Sequence, residues 1–172
     1  GTPESPGLTP RAIKEMFSLM NERTQCTFNI STYFVEIYND NLVDLFWSID
    51  NKNTGVVRNV DGSLIEPPKL DIKMDNRKMV TITNVVVKQA NTYDDLMYLF
   101  ELGNSERHVG ATKMNQTSSR SHAIFSIMVE IFDKTTKRNT YGKLSLVDLA
   151  GSERQDKTGA TGNTLKEAQS IN

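Results

Sequence analysis

The sequence predicts an α/β fold, and three observations carry that expectation. Segments with helical periodicity alternate with segments of strand character. The stretch Thr27 to Tyr38 is apolar on both faces, with Phe28, Ile30 and Phe34 on one side and Tyr33, Val35 and Ile37 on the other, the pattern of a covered central strand. A long alternating run, Ala123, Phe125, Ile127, Val129 and Ile131, leads through the basic turn KTTKRN (134–139) into a further strand from Lys143 to Val147.

The elements follow in order. Pro3, Pro6 and Gly7 mark an exposed turn, after which Thr9 is placed to cap a helix with Pro10 at its first position. Ile13, Met16, Phe17 and Met20 then give that helix one buried stripe. After the first strand, Asn39-Asp40-Asn41 turns the chain, and Leu42, Val43, Leu45 and Phe46 form a short apolar stretch. Residues 48–69 read as a surface excursion, punctuated by Asp61-Gly62 and Pro67-Pro68. Leu70 to Met74 and Met79 to Val87 are strand-like and joined by the polar turn Asp75-Asn76-Arg77-Lys78, which predicts a hairpin. Thr92 with Asp95 predicts a helix start, Tyr93, Leu96, Leu99 and Phe100 its buried side, and Gly103 its end. A last helix begins near Leu165.

Composition narrows the function. With 172 residues, the chain is long enough for one domain with a sizeable core. Hydrophobic residues at 37% and charged residues at 24% exclude a disordered tail. The formal net charge of -1 supplies no global field toward an acidic polymer, so nucleic acid is not an expected partner and any acidic partner must meet a local patch. Cys26 is the single cysteine, which excludes an internal disulfide and suits a reducing compartment. No apolar run approaches the length of a membrane span, and GTPESPGLTP has no signal-peptide pattern. His108 and His122 lack partner spacing for a transition-metal site, and His122 is expected to pack or hydrogen-bond where its strand begins.

Two motifs carry chemistry. NQTSSRSH (115–122) supplies an asparagine and serines able to face phosphate oxygens or a metal-bound water. Its Arg120 is a planar cation able to hold a carboxylate in a two-pronged pair. LSLVDLAGSER (144–154) is an apolar strand ending in Asp148, with Gly151 three residues on. A carboxylate in that place can hold magnesium through water, and a glycine lets a backbone N–H approach a phosphate. Glu153 is the natural partner for Arg120. Alone, the first motif could be a polar loop and the second an ordinary strand exit; together, in this order, they supply complementary parts.

NQTSSRSH resembles the first switch of kinesins, and DLAGSE resembles the second. RHVGATKMNQTSSRSH, DKTGATGNTLKEAQSIN and YFVEIYNDNLVDL extend the likeness over nearly the whole chain, the 48–69 excursion excepted. Myosins share both switch types, but Ser121-His122 and Ser152-Glu153 are the kinesin forms. The resemblance implies a P-loop NTPase fold with a central mixed β-sheet between helices, and a single partial motor domain over 1–172, incomplete at both ends. It implies switch I at 115–122, switch II at 148–153, and a loop and the start of the microtubule-binding helix at 154–172. Asn115, Ser118 and Ser119 would contact the ATP γ-phosphate, magnesium or the attacking water. Asp148, with Ser119, would hold Mg2+, the Gly151 N–H would bond the γ-phosphate, and Arg120 with Glu153 would close the site. Arg154 and Lys157, and on the hairpin Lys73, Arg77 and Lys78, would face the microtubule.

PGLTPRA and VEIYNDNLVDL are most like C-terminal, minus-end-directed kinesins, the calmodulin-binding kinesin of plants and protists being the nearest; its calmodulin-binding region would lie outside this chain. The implied function is part of a cytoplasmic, cytoskeletal motor that couples ATP hydrolysis to movement along microtubules. One departure matters. No G-x-x-x-x-G-K-[ST] occurs, the loop that cradles phosphates with backbone N–H groups and a lysine. The stretch alone is therefore expected to be inactive, and the alternative reading is a non-catalytic microtubule-binding module or inactive fragment.

Overall fold

The computed structural model describes residues 4–52, 66–113 and 120–151. Its elements are helix α1 (Leu8–Asn21), strands β1 (Cys26–Tyr38) and β2 (Asn41–Asp44), helix α2 (Leu45–Lys52), strands β3 (Asp71–Met74), β4 (Val80–Thr83) and β5 (Lys88–Gln89), helix α3 (Tyr93–Lys113), and strands β6 (His122–Asp133) and β7 (Arg138–Asp148). The main sheet has the order β2-β1-β6-β7, with β5 also paired to β1, and β3 and β4 form a separate hairpin. Strand β1 meets both β2 and β5 in antiparallel register. Between β1 and β6, bonds at Gln25–Lys134, Asn29–Glu130 and Thr32–Ser126 descend along one strand as they climb along the other, which is antiparallel pairing again. The resemblance implies a mixed sheet; no parallel pair falls among the described strands.

Internal contacts divide the chain into two units. The first comprises Gly1–Tyr33, Val87–Leu102 and Phe125–Leu146. Its core holds Ile13, Ile30, Leu96, Phe125 and Ile127. Phe17 meets Tyr93 edge-on at 6.5 Å, and Phe100 meets Phe125 at 5.3 Å. Two small polar residues sit fully buried in this sheet without loss, because Thr32 Oγ1 donates to the Ser126 carbonyl at 2.8 Å and the Ser126 and Ser145 hydroxyls bond at 2.9 Å.

Helix α1 starts one residue before Thr9, with Gly7 at its cap and no side-chain cap bond. Pro10 then stands third in the helix, where its missing N–H still costs nothing, since the first turn's donors have no intrahelical partner. The start of α3 is as expected: Thr92 Oγ1 accepts the Asp95 N–H at 3.1 Å, and Asp95 Oδ2 accepts the Thr92 and Asn91 N–H groups at 3.0 Å.

The second unit comprises Phe34–Val86, Gly103–Ile124 and Val147–Asn172. Phe34, Val35, Leu45, Phe46 and Ala123 form its apolar core, with Phe34 edge-on to Phe46 at 6.5 Å. Gly103 does not end α3, which runs on to Lys113. It lies instead against Phe34, where an added Cβ would overlap the ring. The glycine therefore serves close helix–strand packing, and the sequence offers the same letter for both uses.

The apolar stretch after β1 divides into β2 and α2. Asp44 makes the division: its Oδ1 accepts the Trp47 N–H at 3.1 Å, capping α2, while Oδ2 accepts the Val86 N–H at 2.6 Å. Burial pushes the Asp44 carboxyl up from the usual carboxylate value, against the opposing pull of its backbone bonds. Because residues 48–52 complete α2 and Ile49 is buried, the excursion expected over 48–69 begins later than the sequence suggests.

The β3–β4 hairpin has the expected turn, in which Asp75 Oδ1 accepts the Arg77 and Met79 N–H groups, each at 2.9 Å. Its second strand ends at Thr83 rather than Val87, since Asn84 adopts φ 63° and breaks the extended backbone. The helix expected from Leu165 lies outside the described residues.

Candidate functional site

The beginning of β6 and the end of β7 are held together in the second unit by one buried cation. Arg107, on the part of α3 beyond Gly103, is 6% exposed. Its Nη1 lies 2.5 Å from Asp148 Oδ2, and its Nη2 donates to the Ser121 carbonyl at 3.0 Å. Its Nε lies 3.4 Å from Glu36 Oε1, at ion-pair distance. Ser121 Oγ completes the ring by donating to the same Glu36 oxygen at 2.5 Å. A guanidinium suits this place because its planar fork reaches several acceptors at once and stays charged when desolvated.

The two carboxylates are not equivalent. The Glu36 side chain is 11% exposed and that of Asp148 is 70% exposed. Charge attraction is stronger away from solvent, so Glu36 is the main counter-ion that makes Arg107 tolerable in the interior. Asp148 reaches the same cation from the solvent side and keeps the exposure a ligand to a hydrated ion needs.

A second link joins the same strand ends. His122 Nδ1 accepts the Ala150 N–H at 3.0 Å. A backbone N–H can only donate, so this nitrogen carries no proton and Nε2 carries it instead.

The structure brings together Asp148, Gly151 and Arg120 at neighbouring strand ends: Asp148 closes β7, Gly151 follows three residues on, and Arg120 precedes β6 by one residue beyond Ser121. Asn115, Ser118, Ser119, Glu153, Arg154 and Lys157 lie outside the described residues, and with Glu153 so does its pairing with Arg120. Lys73, Arg77 and Lys78 are exposed and share the β3–β4 hairpin. Arg107, Glu36 and Ser121 were not anticipated as site residues. A carboxylate next to the apolar run Tyr33, Phe34 and Val35 and followed by Ile37 was the available signal for Glu36, since such a group is rarely buried unpaired.

Among the described residues, Asp148 has the chemistry to hold magnesium. Magnesium keeps several waters and binds through one or two carboxylates and the phosphates, so a lone solvent-facing Asp148 suffices where no cluster of three His, Cys, Asp or Glu occurs among the described residues.

Comparison with known proteins gives the family. The family profile described as the kinesin motor domain matches residues 1–172. Kinesin-like protein KIN-14E of Arabidopsis thaliana is 42% identical over 173 residues, covering 100% of this chain and 13% of that protein. KIN-14I of Oryza sativa subsp. japonica gives the same identity and the same shares: 42%, 100% and 13%. Among solved structures, the motor domain of the kinesin-like protein Kar3 of Saccharomyces cerevisiae matches with TM-score 0.71 at 31% identity, over 96% of this chain and 45% of that one. A fast kinesin matches with TM-score 0.74 at 29% identity, over 98% of this chain and 43% of that one. The chain belongs to the kinesin motor-domain family. It spans 13% of the length of the two plant kinesins, whose similarity agrees with the likeness to C-terminal kinesins read from PGLTPRA and VEIYNDNLVDL.

Proposed function

We propose that this stretch is the switch-bearing interior of a microtubule-dependent motor that couples ATP hydrolysis to movement along microtubules. The observation that supports it best is the convergence of the two motif ends: Arg107 joins Ser121 to Asp148, and His122 joins the same strand start to Ala150. A device that reports the presence of a terminal phosphate needs its two sensing segments mechanically connected, and these bonds connect them. Among the structures this chain resembles, one is described by implications for ATPase mechanism and interactions with microtubules.

In this reading Asp148 holds a magnesium-bound water, the Gly151 N–H donates to the γ-phosphate, and Asn115, Ser118 and Ser119 face the phosphate, the metal or the attacking water. Magnesium, when bound, neutralises charge on the phosphates. Arg120 and Glu153 pair when the γ-phosphate is sensed, which favours hydrolysis over mere binding. Arg154 and Lys157, with Lys73, Arg77 and Lys78 on the hairpin, meet the acidic track. The site of action is the cytoplasmic microtubule cytoskeleton. Among the described residues, no helix is long and apolar enough to cross a membrane.

The test is ATP turnover by the longer protein that carries this stretch, with and without microtubules. Turnover that rises with microtubules supports the motor reading. Binding to microtubules without turnover supports instead a non-catalytic microtubule-binding module.

A further inference from the structure

We infer that His122 is a positioning residue for ATP hydrolysis, acting through the backbone of Ala150; this rests on the motor reading above. The exit of β7 is gripped at alternate residues by two consecutive residues of the β6 start. Ser121 holds Asp148 through Arg107, and His122 holds Ala150 directly. Leu149, between the gripped residues, is 69% exposed and takes no part in the core. Gly151 is thus the first residue past the grip, and the 3.0 Å bond from Ala150 N–H to His122 Nδ1 holds the Leu149–Ala150 peptide plane, one Cα before the plane that carries the Gly151 N–H.

The chemistry asks for an unprotonated sp² nitrogen at this one position. Lysine or arginine at this place could only donate. Asparagine can place an amide oxygen close to where Nδ1 lies, whereas leucine fills the same space with no acceptor. The bond anchors the chain one residue ahead of the Gly151 N–H, leaving only the two dihedrals of Ala150 between anchor and donor, and a displaced donor is costly where charge develops in the transition state. The effect belongs to kcat and not to nucleotide binding, which other groups carry.

In the longer protein, His122→Leu is expected to lower kcat for ATP about tenfold, the factor one hydrogen bond of ordinary net strength can carry, with KM within about twofold. His122→Asn is expected to recover most of that loss. Ala150→Pro removes the donor from the other side, and combined with His122→Leu it should be no slower than the slower single variant. Amide exchange at Ala150 gives a readout that does not depend on turnover: fast in His122→Leu, slow in wild type and His122→Asn. Wild type without turnover overturns the motor reading alone, and the exchange result then decides the grip. Unchanged kcat in His122→Leu, an asparagine variant as slow as the leucine one, or exchange equal in all three overturns the inference.

Discussion

Arg107 and Asp148, 41 residues apart, meet with Nη1 2.5 Å from Oδ2, and the same guanidinium faces the nearly buried Glu36 through Nε. The inner partner and the outer partner should weigh differently in stability. Arg107→Ala leaves Glu36 desolvated beside Ser121 and is expected to cost about 3 kcal/mol. Asp148→Asn removes a partner that is 70% exposed and should cost less than about 1 kcal/mol. Arg107→Lys should fall between, because one ammonium cannot reach both carboxylates. Denaturant unfolding of the longer protein measures all three; equal losses for Arg107→Ala and Asp148→Asn would refute the ranking.

Gly103→Ala sets two effects against each other. Alanine gains up to about 1 kcal/mol in an exposed helix interior. Here the added methyl overlaps the Phe34 ring, and overpacking costs about 1–3 kcal/mol. Net destabilisation is expected, partly relieved by Phe34→Leu in the double variant. Gly142→Ala is the control, since a Cβ there meets nothing within 4 Å. A more stable Gly103→Ala, by thermal unfolding, would mean that the ring yields.

The α3 cap has a pH signature. Hydrogen bonds from the Asn91 backbone and from Thr92 hold the Asp95 carboxyl below its ordinary value of 3.8. A depressed folded-state pKa contributes stability above the ordinary value, and that stability is lost as pH falls through the folded-state value. Asp44 has the opposite sign: its raised carboxyl favours the folded state as pH falls through a value above 3.8. Asp95→Asn should therefore lower the unfolding midpoint at neutral pH, and the deficit should shrink below 3.8. A deficit independent of pH removes the charge from the cap.

The pair Arg120 and Glu153 is expected to act on turnover. Alanine at either position should lower microtubule-stimulated turnover more than tenfold, an order-of-magnitude expectation, with nucleotide affinity nearly unchanged. Full turnover in both single variants would remove the pair from the mechanism.

Attraction to an acidic track must be local in a chain of net charge -1. Exposed charges are screened beyond about 8 Å at physiological salt, so binding should weaken steeply with ionic strength. Lys157→Glu, and Lys73, Arg77 and Lys78 changed together to glutamate, should raise the microtubule concentration for half-maximal turnover. Co-sedimentation across a salt series checks this; pelleting equal to wild type at every salt concentration would clear those residues of the contact.

What could be read from the letters followed the range of the forces involved. The capping box at Thr92 and Asp95 is local, and so is the Asp75 turn, so both were legible. The strand that runs out at Asp148 was legible from the apolar letters of LSLV, and β7 does end there. The ring of Arg107, Glu36 and Ser121 joins positions up to 85 residues apart, and no local rule pairs them. Gly103 was misread because a helix end and a close helix–strand approach both select glycine, and only the Phe34 ring tells them apart. Helix α2 was missed because Leu42, Val43, Leu45 and Phe46 read as one apolar stretch, which hides the cap that Asp44 supplies between them.

Asp44 also has a topological consequence. Its two oxygens accept from Trp47 and Val86, so a single carboxylate fastens the chain to itself across 42 positions. Closing a loop costs free energy that grows only with the logarithm of its length, about 0.6 kcal/mol for each doubling. Once both ends are fastened, added residues between them raise that entropy cost very little. Residues added between Asp44 and Val86 would thus cost little as long as the carboxylate keeps its hold on both ends.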